Sequence, residues 1–366
     1  MMELTGAPLA VIAVAAAVLL PLAALFLTGS TWRPRLARVL LVVLCQLVAV
    51  SAVFVLVNRH YEFFATWDDL FGVPGQVEKL TQAKPVGAPV PVERIAISAD
   101  NPHPGGEMVT MHLPDSSPDY STGAVYLPAA YFEPSQHDRR FPVVVMVGGL
   151  HMSGPKFATL LDAPSLYSGL IDGGKATPFI AVHVGGSVTT GVDSECVDVR
   201  GARQETFLST ELPAAIASQF RVTEDHHRWF MSGWSTGGFC TALMVAKHPD
   251  VYGGGAALAP YYHPLFDTPS LLADPVATRE ANDVTAMVRS KKVRQLPLLN
   301  VMSTADNQSW GPLKPTAETA DGRNFHKVAR TTPGVAFQLI KGGGHNFGTY
   351  LPLFVPSLTW LATMGL

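Results

Sequence analysis

The sequence predicts a mostly parallel, doubly wound α/β domain behind two apolar N-terminal helices, on three observations. Apolar strand-like runs alternate with helical stretches over most of the chain, and the later runs are continuously apolar, as strands covered on both faces require. At the centre, Met231-Ser232-Gly233-Trp234-Ser235-Thr236-Gly237-Gly238-Phe239 reads as a strand end, a sharp turn and a helix start. The N-terminus is charge-free from Leu4 to Ser30 and a second apolar run follows it.

The first run, Leu9–Leu27, is almost purely Ala, Val, Leu and Ile; the second, Val39–Val57, is interrupted by Gln46 and Ser51. Each approximates the ~20 residues that cross a bilayer as helix. A cleaved signal peptide would carry a basic stretch before the first run and no second run behind it, so a two-helix transmembrane hairpin is expected. Arg33, Arg35 and Arg38 lie between the runs, whereas Glu3 is the charge before them. Basic residues stay on the cytoplasmic side, which places both ends of the hairpin, and everything after Asn58, on the extracytoplasmic face. The segment Tyr61–Phe71 mixes aromatic and acidic residues. It suits either a membrane–water interface or a short helix docked on the next domain. Residues 1–71 are therefore expected as hairpin and interfacial segment, 72–91 as a Pro- and Gly-rich linker, and 92–366 as the catalytic domain.

Within that domain, strands are expected at Arg94–Ser98, Met108–Leu113, Gly123–Leu127, Pro142–Val147, Phe179–Val184, Arg228–Met231, Gly255–Leu258, Leu296–Met302 and Val335–Ile340. The earliest alternate and suit antiparallel pairing. Helices are expected at Glu205–Phe220, Phe239–His248, Glu280–Ser290, Pro315–Ala329 and Leu351–Met364.

Composition narrows the function. Of 366 residues, 48% are hydrophobic and 15% charged, and the net charge is −3, so there is no basic patch for nucleic acid. Neither HExxH nor CxxC occurs, and no metal or cofactor is expected. Of the three cysteines, Cys45 falls in the second apolar run. Cys196 and Cys240 fall in the part placed outside, where disulfides persist; they form a bridge or remain two buried thiols.

Chemistry enters at Gly233-x-Ser235-x-Gly237, the nucleophile elbow of the α/β-hydrolase fold. Side chains at the two glycines would clash with the neighbouring strand and helix, and the Ser hydroxyl stands at a helix N-terminus that favours an oxyanion. A serine nucleophile needs a base and an acid to orient it, in the chain order Ser, acid, His. Asp306 follows the strand at Leu296–Met302, with Glu318 and Asp321 nearby. His345 follows the last strand in Lys341-Gly342-Gly343-Gly344-His345, where glycines let the loop fold back to Ser235. The oxyanion hole is expected from the N–H groups of Thr236 and Leu150, the latter in Gly148-Gly149-Leu150-His151 after Pro142–Val147. Tyr261, Tyr262 and His263 follow the strand after the elbow helix and are candidates for the acyl pocket, one tyrosine being core. His151 is a further candidate for substrate binding.

The stretches Phe179–Ser187, Glu205-Thr206-Phe207-Leu208…Glu211-Leu212-Pro213 and Gly233–Gly238 resemble the putative esterase family, which includes esterase D and the secreted mycolyltransferases. The resemblance spans about 142–360. It implies a Ser–acid–His triad and acyl-ester hydrolysis or transfer, with the family's oxyanion residue, nucleophile and base falling on Leu150, Ser235 and His345. The Asp and Arg with which mycolyltransferases bind trehalose are replaced by Gly148 and His151, their acid is a Glu rather than Asp306, and they lack the hairpin. In its hairpin the chain resembles membrane-anchored actinobacterial esterases instead. The expected function is a membrane-anchored serine esterase acting on lipid or cell-envelope esters. The alternatives are an acyltransferase that delivers the acyl group to an envelope sugar or lipid, and a non-catalytic binding module.

Overall fold

In the computed structural model the described residues are 4–24, 32–61, 63–114, 122–189, 192–265, 272–312 and 319–366. In chain order the strands are β1 (Gln76–Val77), β2 (Thr81–Gln82), β3 (Glu107–His112), β4 (Thr122–Leu127), β5 (Val143–Val147), β6 (Ile180–Val184), β7 (Asp198–Val199), β8 (Ala202–Arg203), β9 (Trp229–Trp234), β10 (Gly254–Leu258), β11 (Leu298–Ser303) and β12 (Val335–Lys341). All but β7 and β8 join one ten-stranded sheet in the order β1-β12-β11-β10-β9-β5-β6-β4-β3, with β2 also on β12. The run from β12 to β6 is parallel, and β4 and β3 add antiparallel at one edge.

The continuous apolar runs follow from burial on both faces. Along β5, Val143, Val145 and Val147 face one core layer, while Val144 and Met146 face the other. The first layer receives Leu208, Leu212 and Ile216 and the elbow-helix residues Phe239 and Leu243. The second receives Phe157, Tyr167, Phe354 and Leu358. From β5 the chain steps outward to β6, then returns to the other side of β5 as β9. That reversal leaves a crevice beyond the carboxyl ends of β5 and β9, where sheets of this kind bind ligands.

Several expectations are corrected. Residues 94–98 form no strand, and Ile95 and Ile97 pack against the core from outside the sheet. The helical run at Gln204–Gln219 contains a π-turn at Phe207–Glu211. The helix expected at Glu280–Ser290 is two, Pro275–Ala281 and Val284–Arg289, because Asp283 caps the second by accepting from Ala286 N at 2.7 Å. Helices at Gly154–Leu160 and Ala163–Asp172 were not expected; the first opens on a Ser153 cap with Pro155 in its first turn. Of the helix expected at Pro315–Ala329, the structure holds Gly322–Ala329, preceded by Asp321; residues 319–321 are not helical, and 315–318 lie outside the described residues.

At the N-terminus, α1 (Ala7–Ala24) packs against α2 (Trp32–Tyr61). Arg33, Arg35 and Arg38 fall in the first turns of α2 rather than in a loop. Among the described residues one helical stretch, Leu36–Tyr61, is long and apolar enough to cross a membrane, and Ala7–Ala23 is a shorter apolar helix. A short helix, α3 (Trp67–Leu70), capped by Thr66, follows α2. The stretch expected as a linker, 72–91, is not a free tether: β1 and β2 within it pair antiparallel with β12 at the sheet edge.

Candidate active site

The elbow's glycines are dictated by packing. A Cβ on Gly237 would stand 2.1 Å from the Val147 carbonyl oxygen, and one on Gly233 2.3 Å from that of Gly237. No side chain fits where the elbow helix (Thr236–Lys247) meets β9 and β5. Between them Ser235 adopts φ 59, ψ −120, a conformation that costs a non-glycine residue about 1–3 kcal/mol. Its N–H donates to Leu258 O at 2.9 Å, and the hydroxyl stands at the end of the elbow helix.

The structure brings Ser235, His345 and Asp306 together. Gly342 and Gly343 take φ 83 and φ 87 after β12, turning the loop so that His345 faces the sheet's carboxyl edge. His345 Nε2 lies 2.8 Å from Ser235 Oγ and Nδ1 lies 2.8 Å from Asp306 Oδ2. The carboxylate can only accept, so Nδ1–H donates to it, and in the neutral ring Nε2 accepts from the hydroxyl. The ring stacks on Trp234 at a centroid distance of 5.5 Å. Asp306 is fully buried, and its charge is met by donors: Gln308 N (3.0 Å) and Ser309 N (3.1 Å) on Oδ1, Tyr350 OH (2.6 Å) and His345 on Oδ2. Burial, and then the Asp306 charge, push the Tyr350 phenol well above its ordinary value, so it stays a donor.

Ser235, His345 and Trp234 open on a cavity of about 640 Å3 that Leu150, Thr236 and Tyr261 also line. The turn carrying Leu150 passes close to the nucleophile: a Cβ on Gly149 would meet Trp234 at 3.0 Å and Ser235 Cβ at 3.6 Å. Tyr261 OH donates to Glu195 Oε2 at 2.6 Å and lies 3.3 Å from Thr236 Oγ1. Burial, and then Asp193 beside it, push the Glu195 carboxyl well above its ordinary value. The bridge between Cys196 and Cys240, with Cα atoms 5.3 Å apart, ties this loop to the elbow helix, and Cys196 Sγ sits 3.6 Å from Thr236 O.

Three expected binding residues are placed elsewhere. Tyr262 is fully buried in the core, where it stacks on Phe325 at 3.6 Å and donates to Asn300 Oδ1 at 2.7 Å. Chain alternation after β10 turns Tyr261 toward the cavity and Tyr262 away from it. His151 is exposed at φ 58, outside the cavity lining, and His263 pairs with Asp321 at 3.2 Å. Asp321, a rival for the acid, is thereby committed to His263 and to Tyr262 N. Sequence reasoning missed Trp234, Tyr350 and Glu195. Trp234 was open to view as the residue before the nucleophile. Tyr350 and Glu195 carry no local signal, since their partners are 44 and 66 residues away.

A parallel-centred sheet with a Ser–His–Asp arrangement at its carboxyl edge defines a serine hydrolase of the α/β-hydrolase fold. The fold is shared with a ferulic acid esterase (18% identity, 70% of this chain and 97% of that one, TM-score 0.55). An S-formylglutathione hydrolase from Agrobacterium tumefaciens matches at 19% identity over 73% and 99%, TM-score 0.54. A fluorophosphonate-binding serine hydrolase of Staphylococcus aureus matches at 12% over 70% and 97%, TM-score 0.53. An uncharacterised protein of Corynebacterium glutamicum is 27% identical over 161 residues, which is 40% of this chain and 36% of that protein's length. The sequence profile of the putative esterase family matches residues 117–361, and the chain belongs to that family.

Proposed function

We propose that the protein is a membrane-anchored serine esterase that cleaves acyl esters of lipids or the cell envelope through an acyl-enzyme on Ser235. The observation that carries this reading is the pair of 2.8 Å contacts linking Ser235 Oγ, His345 and Asp306 at the floor of a largely apolar cavity. His345 Nε2 takes the hydroxyl proton as Oγ attacks the ester carbonyl. Negative charge gathers on the carbonyl oxygen, which the N–H groups of Leu150 and Thr236 receive. The C–O bond then breaks, His345 returns the proton to the departing alcohol, and the acyl group stays on Ser235. Water, or an alcohol acceptor, enters by the same route in reverse and frees the acyl group.

The anchor is read as a two-helix hairpin with its ends and the catalytic domain outside the cytoplasm. A disulfide in that domain agrees with an oxidising compartment. Alkaline phosphatase fused after Leu366 is expected to be active, and an inactive, stable fusion would reverse the topology.

Fluorophosphonate labelling of the purified protein with peptide mapping tests the chemistry. Label is expected on Ser235 and lost in His345→Ala. A folded protein that takes no label refutes the esterase reading.

A further inference from the structure

The chain leaving α2 turns back across the Ser235 cavity. Asn58, 1% exposed, closes the turn: its Oδ1 accepts from Phe64 N at 2.8 Å and its Nδ2 donates to Phe64 O at 2.9 Å. Phe63 stacks on Tyr61 at 5.4 Å, and both line the cavity that holds Ser235 and His345. Side chains of the catalytic domain fasten them there, Gln308 Nε2 donating to Tyr61 O and Asn346 Nδ2 to Phe63 O at 2.9 Å. Eight residues further on from Tyr61, Asp69 reaches the His345 loop. Its carboxylate accepts from Gly344 N (2.7 Å), Asn346 Nδ2 (3.0 Å) and Thr349 Oγ1 (3.2 Å), so the residues on either side of His345 are held by one side chain.

Tyr61 is also the last residue of the apolar stretch Leu36–Tyr61. A residue ending a membrane-crossing helix lies at the membrane–water boundary, and a cavity that it lines opens at that boundary. Beyond the part of the strap that lines the cavity, Phe71 and Val73 are 76% and 54% exposed, and Phe71 stacks on Trp67. These exposed apolar and aromatic side chains match the headgroup region of a bilayer.

We propose that Tyr61–Phe71 completes the active site at the membrane surface. In this arrangement Tyr61 and Phe63 are the wall along which the acyl chain of a bilayer-borne, long-chain ester reaches Ser235. The inference rests on the esterase reading above, and it names the substrate's source: the membrane, rather than esters dissolved in water.

The full-length protein in phosphatidylcholine vesicles tests it, with 4-methylumbelliferyl palmitate in the same vesicles against 4-methylumbelliferyl butyrate in the aqueous phase. The wild type is expected to favour the palmitate in kcat/KM by about tenfold or more. The Tyr61→Ala, Phe63→Ala double variant is expected to lower the palmitate-to-butyrate ratio by about tenfold, as removal of two aromatic contacts from one chain implies. A wild type that prefers butyrate, or a ratio that the double variant leaves unchanged, overturns the inference. If neither ester is turned over in a Ser235-dependent manner, the esterase reading itself has failed. The strap is then judged by photo-crosslinking of the wild type in vesicles containing a diazirine-tailed phosphatidylcholine. Label within Tyr61–Phe71 supports it, and label on α2 without any in that segment overturns it.

Discussion

Removing the Cys196–Cys240 bridge tests whether the loop carrying Glu195 and the helix carrying the nucleophile are held as one unit. The bridge spans a sequence separation of 44, and a cross-link closing a loop of that length withdraws chain entropy worth about 4 kcal/mol from the unfolded state. Both half-cystines are fully buried, so alanine is the substitution that adds no unpartnered polar atom. For a domain of this size each kcal/mol moves Tm by about 2–4 °C, which puts the Cys196→Ala, Cys240→Ala variant about 8–16 °C below the wild type. The assay is thermal unfolding of the full-length protein in detergent, followed by tryptophan fluorescence, with and without a thiol reductant. Reductant should lower the wild type toward the variant and leave the variant where it is. Because Cys196 Sγ rests 3.6 Å from Thr236 O, fluorophosphonate labelling of Ser235 should slow in parallel. A wild type whose Tm moves by less than about 2 °C, after thiol titration has shown both cysteines reduced, refutes the reasoning.

Other expectations concern the acid and its neighbours. Asp306→Asn should lower kcat on a soluble ester by about 10⁴-fold with little change in KM, because the amide permits the wrong imidazole tautomer; a loss below about tenfold would remove Asp306 from the proposed machinery. Tyr350→Phe deletes a donor to the buried Asp306 carboxylate and leaves Ser303 N–H without its phenolic partner, which should cost about 2–4 kcal/mol in urea unfolding; a stability equal to wild type would contradict it. Burial raises the folded Glu195 carboxyl above the ordinary value of 4.5 that it keeps when unfolded, so wild-type stability should fall as pH rises from about 4.5 through the raised folded value. Glu195→Gln should flatten that slope, read as Tm between about pH 4 and 9, and an unchanged slope would assign it to another group.

The fold was legible where local pattern and global burial agree. The all-apolar β5, and β6 with His183 as its one polar residue, read as strands covered on both sides, and Gly233 and Gly237 mark a place where backbones touch. Legibility failed where sequence separation hides the partner. Gln76–Val77 and Thr81–Gln82 have no strand pattern of their own and are strands because β12 offers an open edge. Residues 94–98 have a strand pattern but no strand beside them to pair with, so the same physics leaves them outside the sheet.

The site divides along the same line, and the division follows from where the chemistry lies in the chain. Ser235, Asp306 and His345 each follow a strand of the parallel run, and parallel strands deliver their carboxyl ends to one edge; order along the sequence therefore becomes proximity in space. Tyr262 was misplaced because two adjacent tyrosines leaving β10 point opposite ways, and composition does not say which one faces the crevice. The strap was half read: its aromatic and acidic residues suited either a membrane interface or a docked helix. Asp69 on Gly344 and Phe63 in the cavity establish the docking, while Tyr61 is also the last residue of the membrane-length stretch Leu36–Tyr61, so the same segment suits an interface. A segment that meets both surfaces needs polar groups toward the protein and apolar groups toward lipid within a few residues. That requirement accounts for the mixed composition of Tyr61–Phe71, which helical periodicity alone could not resolve.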